Sequence, residues 1–505
     1  MKRIKTIISY GLAAAIPVAA LNLQSCKEKT KPNVIFILLD DFGYTDLACY
    51  GSRFYETPNI DHLAHQGVRF TNAYAACPVS SPTRAAIMTG KYPVRTGITD
   101  WIPGRQASNN GSPYDKLIAL PFRQQLERDE ITVAEMLRDN GYRTMISGKW
   151  HLGEDQQFWP ENQGFDINKG GTGLGYPNMS GKANGYFSPY GNPRLEDGPD
   201  GEYLTDRQTD EAIRFIEENR TRPFFVYLSY FAVHNPMQAK EEQIAYFTHK
   251  ADSLGLSKAD PFTSDPDWIR PTMSDNFRER IIQSNPVYAS MIYCVDENIG
   301  RLMSKLDELR LDKNTIIIFT SDNGGLATAE GSPTCNAPLR AGKGWLYEGG
   351  IRVPLIIRYP GKGEPGTVIR TPVSSIDYFS TIVEMTGSDA GKAEPDGISF
   401  TALFKVDNLP ERPLFWHYPH YSNQGGDPGS AVRLGKYKLI DNFVSGRQEL
   451  YDLEADISET RDISSSNPGK TKELFDILKS WRKASDAKMM EPNPKWNGSS
   501  WHSSE

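Results

Sequence analysis

The chain repeats one pattern, a short apolar run that stops abruptly at polar or charged residues. Asn33 to Leu39 (NVIFILL) runs into Asp40-Asp41, and Tyr142 to Ser147 leads to Gly148-Lys149-Trp150-His151. Phe224 to Tyr230 (FFVYLSY) precedes His234-Asn235-Pro236, and Thr315 to Ser321 (TIIIFTS) precedes Asp322-Asn323-Gly324-Gly325. Runs of this length read as strands buried on both faces, as in a parallel sheet. Stretches of helical period lie between them, such as Asp206 to Asn219 with Ala212, Ile213 and Ile216 on one face. Strands alternating with helices predict an α/β fold, a large mixed but mainly parallel sheet sandwiched by helices. Ligands of such sheets bind beyond the carboxyl ends of the strands. Asp40, Asp41, Lys149, His151, His234, Asp322 and Asn323 are therefore expected along one edge.

Beyond about residue 390 the texture changes. Gly429 to Ile440 (GSAVRLGKYKLI) and Gln448 to Leu453 (QELYDL) are short alternating segments, and a polar helix is expected over Lys470 to Lys488. This predicts a smaller C-terminal antiparallel sheet plus helix over residues 391–490, beside the large α/β domain over 31–390. Residues 491–505 read as a tail.

The first residues read as a targeting segment. Met1-Lys2-Arg3-Ile4-Lys5 is basic, and the apolar stretch Ile7 to Leu23 is broken by Gly11 and Pro17, a poor membrane span but a good export signal. Leu23-Gln24-Ser25-Cys26 resembles a bacterial lipobox, so residues 1–25 are read as a lipoprotein signal peptide and Cys26 as the lipidated residue. The expected location is the periplasm or the outer-membrane surface, with membrane contact only through that lipid anchor. Cys49, Cys77, Cys294 and Cys335 are scattered, without metal-binding spacing. A net charge of -7 gives no basic footprint, which excludes nucleic acid as the expected partner.

The strand-end acids narrow the chemistry. Asp40-Asp41 and Asp322-Asn323 are hard oxygen donors, suited to Ca²⁺ or Mg²⁺. Few imidazoles accompany them, which argues against a two-zinc phosphatase site.

Ser80-Ser81-Pro82-Thr83-Arg84, followed by Ala85-Ala86-Ile87-Met88-Thr89-Gly90-Lys91, resembles the signature of the type I, formylglycine-dependent sulfatases, in its bacterial serine form. Those enzymes belong to the alkaline phosphatase superfamily. Cys77 does not fit the frame, since Val79 and Ser81 stand where proline and arginine are required; it is read as a buried structural thiol. Further blocks in the family's order are Asp40 to Tyr44, Glu56 to Asp61, Gly148 to Gly153, Asp322 to Gly324, and Gly342 to Gly350, so the resemblance runs from about Lys31 to Asp462.

The resemblance implies hydrolysis of a sulfate ester on a carbohydrate, such as galactose or N-acetylgalactosamine. It implies that Ser80 is converted to formylglycine (3-oxoalanine) by an anaerobic, serine-type maturation enzyme. Asp40, Asp41, Asp322 and Asn323, with modified Ser80, would bind one Ca²⁺. Arg84 would hold the formylglycine, Lys149 and Lys343 would contact sulfate, and His151 and His234 would handle protons. Pro82 suits a first helical turn, which places Ser80 where backbone N–H groups favour an anion.

Asp100 and Trp101, and His417 and His420 within Trp416 to Tyr421, mix aromatic and polar groups and are candidate sugar contacts; core packing is the competing reading for both histidines. The alternatives to a sulfatase are a phosphatase or phosphodiesterase of the same superfamily, with an unmodified Ser80, and a lipoprotein that binds sulfated glycans without hydrolysing them.

Overall fold

Nine strands form the main sheet of the computed structural model, which describes residues 31–105, 113–179, 181, 183–263, 278–405 and 409–498. The export signal, Cys26 and the end of the tail lie outside those residues. The strands are β1 (Asn33–Leu39), β2 (Val68–Tyr74), β3 (Arg143–Gly148), β4 (Ile167–Lys169), β5 (Phe224–Ser229), β6 (Thr315–Ser321), β7 (Arg352–Arg358), β8 (Thr367–Ile369) and β9 (Val373–Ser374). Their order is β4-β3-β5-β1-β6-β7-β2-β8, with β9 also pairing with β2. Among these strands only β7 runs against the rest.

The apolar runs behave as doubly buried strands. Along β1, Ile35, Ile37 and Leu39 enter one core while Val34, Phe36 and Leu38 enter the other. The first core takes Ala212, Phe215 and Ile216 from helix Leu204–Glu218 and Tyr288, Ile292 and Ile299 from helix Pro286–Glu308. The second takes Ala85, Ile87 and Met88 from helix Ser80–Thr89 and Tyr378, Phe379 and Ile382 from helix Asp377–Thr386. Helices on both faces follow directly from strands apolar on both faces.

A second sheet is antiparallel and sequential: β10 (Leu414–Tyr418), β11 (Gly429–Leu434), β12 (Tyr437–Asn442) and β13 (Gln448–Asp452). The expected helix runs over Pro468–Ala484 and starts at an Asn467 side chain that accepts from Lys470 N. Its Leu474 and Leu478 pack on Val432, Leu439 and Leu450. Cutting Leu478 to alanine there is expected to cost about 2–5 kcal/mol. The same cluster includes Ala76, Ala86 and Tyr92. Helix Ser80–Thr89 thus lies between the two sheets, and all ten of its residues are buried.

Candidate active site

The neighbours β3, β5, β1 and β6 are mutually parallel, so their carboxyl ends share one edge. Strands about 4.8 Å apart bring the residues that follow them within side-chain reach of one another. Asp40 and Asp41 follow β1, Lys149 and His151 follow β3, His234 follows β5, and Asp322 and Asn323 follow β6. All but His234 are buried, and His234 lies at the rim.

Helix Ser80–Thr89 delivers Ser80 and Arg84, and the loop between β6 and β7 delivers Lys343. Ser80, at its start, has its Oγ 3.2 Å from Asp40 Oδ1, 3.4 Å from Asn323 Oδ1 and 3.3 Å from Lys149 Nζ. One turn on, Arg84 reaches from the same face. Its Nε and Nη2 lie 2.9 and 2.8 Å from Asp322 Oδ2, and its Nη1 donates to Ser229 Oγ (2.7 Å) and to the Lys149 carbonyl (3.2 Å). Ser81 faces the other way, accepting from Ile102 N at 3.1 Å.

Charge is balanced pair by pair. Lys149 Nζ is 2.7 Å from Asp40 Oδ2, and Lys343 Nζ is 2.8 Å from Asp41 Oδ2. Burial alone pushes the Asp40 and Asp41 carboxyls up, but Lys149 beside Asp40 and Lys343 beside Asp41 hold both below their ordinary values. Asp322 stays raised, because burial and nearby Asp40 outweigh Arg84. Burial lowers the Lys149 ammonium, which Asp40 only partly restores; for Lys343 the Asp41 attraction wins and its value rises.

The two histidines differ. His151 Nε2 lies 2.5 Å from the Ile102 carbonyl, so it carries the proton and donates. Nδ1 is buried without a hydrogen-bond partner and keeps a free lone pair. Burial, reinforced by Lys149, holds this imidazole far below its usual value, hence neutral. His234 has Nδ1 2.8 Å from the Asn235 carbonyl and Nε2 3.1 Å from Lys343 Nζ. Asp41 and His151 both have φ of 60°. That left-handed conformation costs a non-glycine residue roughly 1–2 kcal/mol, a strain concentrated at functional positions.

Three carboxylates and an amide make a hard oxygen set that fits a Ca²⁺-type ion. One ligand-type atom from each of Asp40, Asp41 and His234 lies within 4.8 Å of the others.

A model of the family described as Sulfatase matches residues 32–388, and one described as N-sulphoglucosamine sulphohydrolase, C-terminal, matches 341–484. The chain belongs to the sulfatase family. This sulfatase is 29% identical to a sulfatase of Formosa agariphila, over 93% of this chain and 91% of that one. It is 31% identical to N-acetylgalactosamine-6-sulfatase of Homo sapiens, over 81% and 71%. The solved structure of Ps i-CgsB in complex with k-i-k-neocarrahexaose superposes with a TM-score of 0.71 at 29% identity, over 90% and 93%. The sulfatase is accordingly a sulfuric ester hydrolase, and it shares the sheet architecture of these enzymes.

The four candidate sugar contacts separate in this sulfatase. Asp100 is buried, accepts from Tyr418 Oη and Trp101 N at 2.9 Å each, and is pushed up to about 7 by burial. Trp101 is half-buried and adjoins Ile102, which touches both Ser81 and His151. His420 sits behind this loop, its Nε2 2.8 Å from Thr99 Oγ1 and its ring against Phe122 and Tyr418. His417 is not brought to the cluster, and the structure does not support it as a sugar contact. Both its nitrogens are engaged, by Ser430 Oγ at 2.7 Å and the Lys488 carbonyl at 2.8 Å, and burial lowers it to about 4. Cys77 is buried, and burial pushes its thiol well up.

Two contributors carried little signal. Ser229 Oγ donates to the Lys149 carbonyl (2.7 Å) and receives Arg84, locking β5 to the site; its hydroxyl inside an apolar strand was the clue. Asp46 accepts from Gly43 N (2.7 Å), Tyr288 Oη (2.6 Å) and Thr334 Oγ1 (2.7 Å), and burial raises it to about 6. It fixes the turn after Asp41, and only its spacing from Gly43 hinted at that.

Proposed function

We propose that this sulfatase removes sulfate from a saccharide through a formylglycine made from Ser80, a serine-type modification, with one Ca²⁺ held by Asp40, Asp41, Asp322, Asn323 and the modified residue. The observation that carries this reading is Ser80 Oγ, within 3.4 Å of Asp40, Lys149 and Asn323 at the start of a fully buried helix. Bound Ca²⁺ supplies fixed positive charge for an anionic transition state, and hydrated formylglycine supplies two hydroxyls on one carbon.

The chain's own groups do the rest. Arg84, clamped to Asp322 and Ser229, fixes residue 80 by holding its helix against β5 and β6. Lys149 and Lys343 present ammonium groups to the sulfate oxygens and offset the repulsion an incoming nucleophile meets. His151 Nδ1, neutral and unpartnered, accepts a proton from the hydroxyl of residue 80. His234 Nδ1 donates to the Asn235 carbonyl, so Nε2 accepts from the Lys343 ammonium at the rim and can relay a proton from it to the leaving sugar oxygen.

The N-acetylgalactosamine-6-sulfatases and the neocarrahexaose complex among the relatives support a sulfated galactose or N-acetylgalactosamine as the substrate class. Asp100 and Trp101 immediately precede Ile102, which touches both Ser81 and His151. The leader and lipobox support export with a lipid anchor at Cys26.

The test is sulfate release from a panel of galactose and N-acetylgalactosamine monosulfates. Wild type is expected to release sulfate; a chelator such as EGTA is expected to lower the rate by about 10² or more, with recovery on Ca²⁺ alone. Activity unchanged by exhaustive chelation would contradict the metal assignment.

A further inference from the structure

Tyr176 and Met179 are among the most exposed large apolar side chains described, at 52% and 53%. Both lie on the segment Thr172 to Met179, which closes over His151. The segment is tied down where His151 N donates to the Thr172 carbonyl at 3.1 Å. Three residues on, Gly175 comes so near that a Cβ there would stand 2.7 Å from both Cε1 and Nε2 of the imidazole. A glycine is what lets the backbone touch the ring. Gly173 makes a similar approach to the Glu154 backbone, at 2.6 Å. Farther along, the Asn178 carbonyl accepts from Gly185 N at 2.8 Å, which holds the end of the segment. The chain therefore passes in one residue from contact with a buried imidazole to an open aromatic ring.

An aromatic ring left open one residue from the site's imidazole is placed to meet a ligand bound there. Aromatic rings pack well on the apolar C–H face of a sugar while their edges stay wet. We infer that Tyr176 is a specificity-determining platform for the sugar ring that bears the sulfate. This rests on the sulfated-saccharide reading above. The contact lies away from sulfur and holds substrate and transition state equally, so it acts on KM rather than kcat.

The experiment compares wild type, Tyr176→Ala and Tyr176→Phe on whichever galactose or N-acetylgalactosamine monosulfate wild type cleaves best, with inorganic sulfate as inhibitor. Tyr176→Ala is expected to raise KM about tenfold while kcat and sulfate inhibition stay within about twofold, and Tyr176→Phe is expected to restore KM. An unchanged KM in Tyr176→Ala overturns the inference while wild-type turnover keeps the substrate reading. A fall in kcat together with altered sulfate inhibition also overturns it, because that pattern means Tyr176 braces His151. Wild type that cleaves no sulfated sugar overturns the substrate reading and the inference with it.

Discussion

Asp40, Asp41 and Asp322 at the strand ends, and Glu348 and Glu459 where the two sheets meet, are all carboxylates exposed by 2% or less. At the seam, Lys438 Nζ bridges Glu348 Oε1 (3.1 Å) and Glu459 Oε1 (2.8 Å), and Tyr74 Oη and Arg352 Nη1 close on Glu348 Oε2 at 2.8 and 3.2 Å. Burial pushes Glu348 up, but Lys438, Arg352 and Arg433 hold it down at about 2, while burial lifts Glu459 to about 7. The seam cluster joins β2 and the residues before β7 to β12, and the hydroxyl it contains, Tyr74 Oη, is spent on Glu348. At the strand ends the ion pairs converge instead on Ser80, an unpartnered His151 nitrogen lies among them, and the rim opens at His234. Buried ion pairs therefore do not mark chemistry by themselves; what sets the strand ends apart is their convergence on one hydroxyl, Ser80 Oγ, beside an open rim.

That contrast can be broken by substitution. Ser80→Ala is expected to cut turnover by a factor on the order of 10⁴ or more, with the thermal midpoint nearly unchanged, since Ser80 contributes little packing. Comparable loss of both would show the strand-end cluster to be structural as well. Glu348→Gln is expected to do the reverse, lowering unfolding free energy by about 3–5 kcal/mol while kcat of the folded enzyme stays within about twofold. Denaturant titration and sulfate release on the same preparation separate the two effects.

A smaller effect sharpens the comparison on the small sheet. His417 drops from 6.5 to about 4 when folded, because burial disfavours its charged form and the Lys488 carbonyl only partly compensates. The folded state then binds fewer protons than the unfolded state between those values, so stability rises with pH there. The contribution is fully present above 6.5 and is lost as pH falls toward about 4, amounting to about 3 kcal/mol. His417→Gln should flatten that part of the stability–pH curve without shifting the pH dependence of kcat. An unaltered slope would assign the acid sensitivity to other groups.

The centre of the sheet was legible because β1 and β6 fall on the apolar runs from Asn33 and Thr315, whereas β2 and β4, with Arg69, Asn72, Asn168 and Lys169, offer no such run. The strand-end residues were legible for the same reason, since parallel strands deliver their following residues to one edge. What sequence could not show were contacts between distant backbone segments. The Ile102 carbonyl fixes the His151 tautomer, yet no side chain announces it. Glu348 sits in the Tyr347-Glu348-Gly349-Gly350 block that resembles the family, but its partners Lys438 and Glu459 lie about a hundred residues away and serve the seam. His417 looked like a sugar contact because aromatic and imidazole groups suit both binding and packing, and its two internal hydrogen bonds are those of a packed residue.

The chemical state of residue 80 is the centre of the account. Trypsin frees the peptide Phe70 to Arg84 from native protein made in a host with the anaerobic maturation enzyme, and mass spectrometry reads its mass. A peptide two hydrogens lighter than the sequence requires, with the loss mapped to Ser80 rather than Ser81 or Cys77, is the predicted result. Intact serine at position 80 in enzyme that releases sulfate would contradict it.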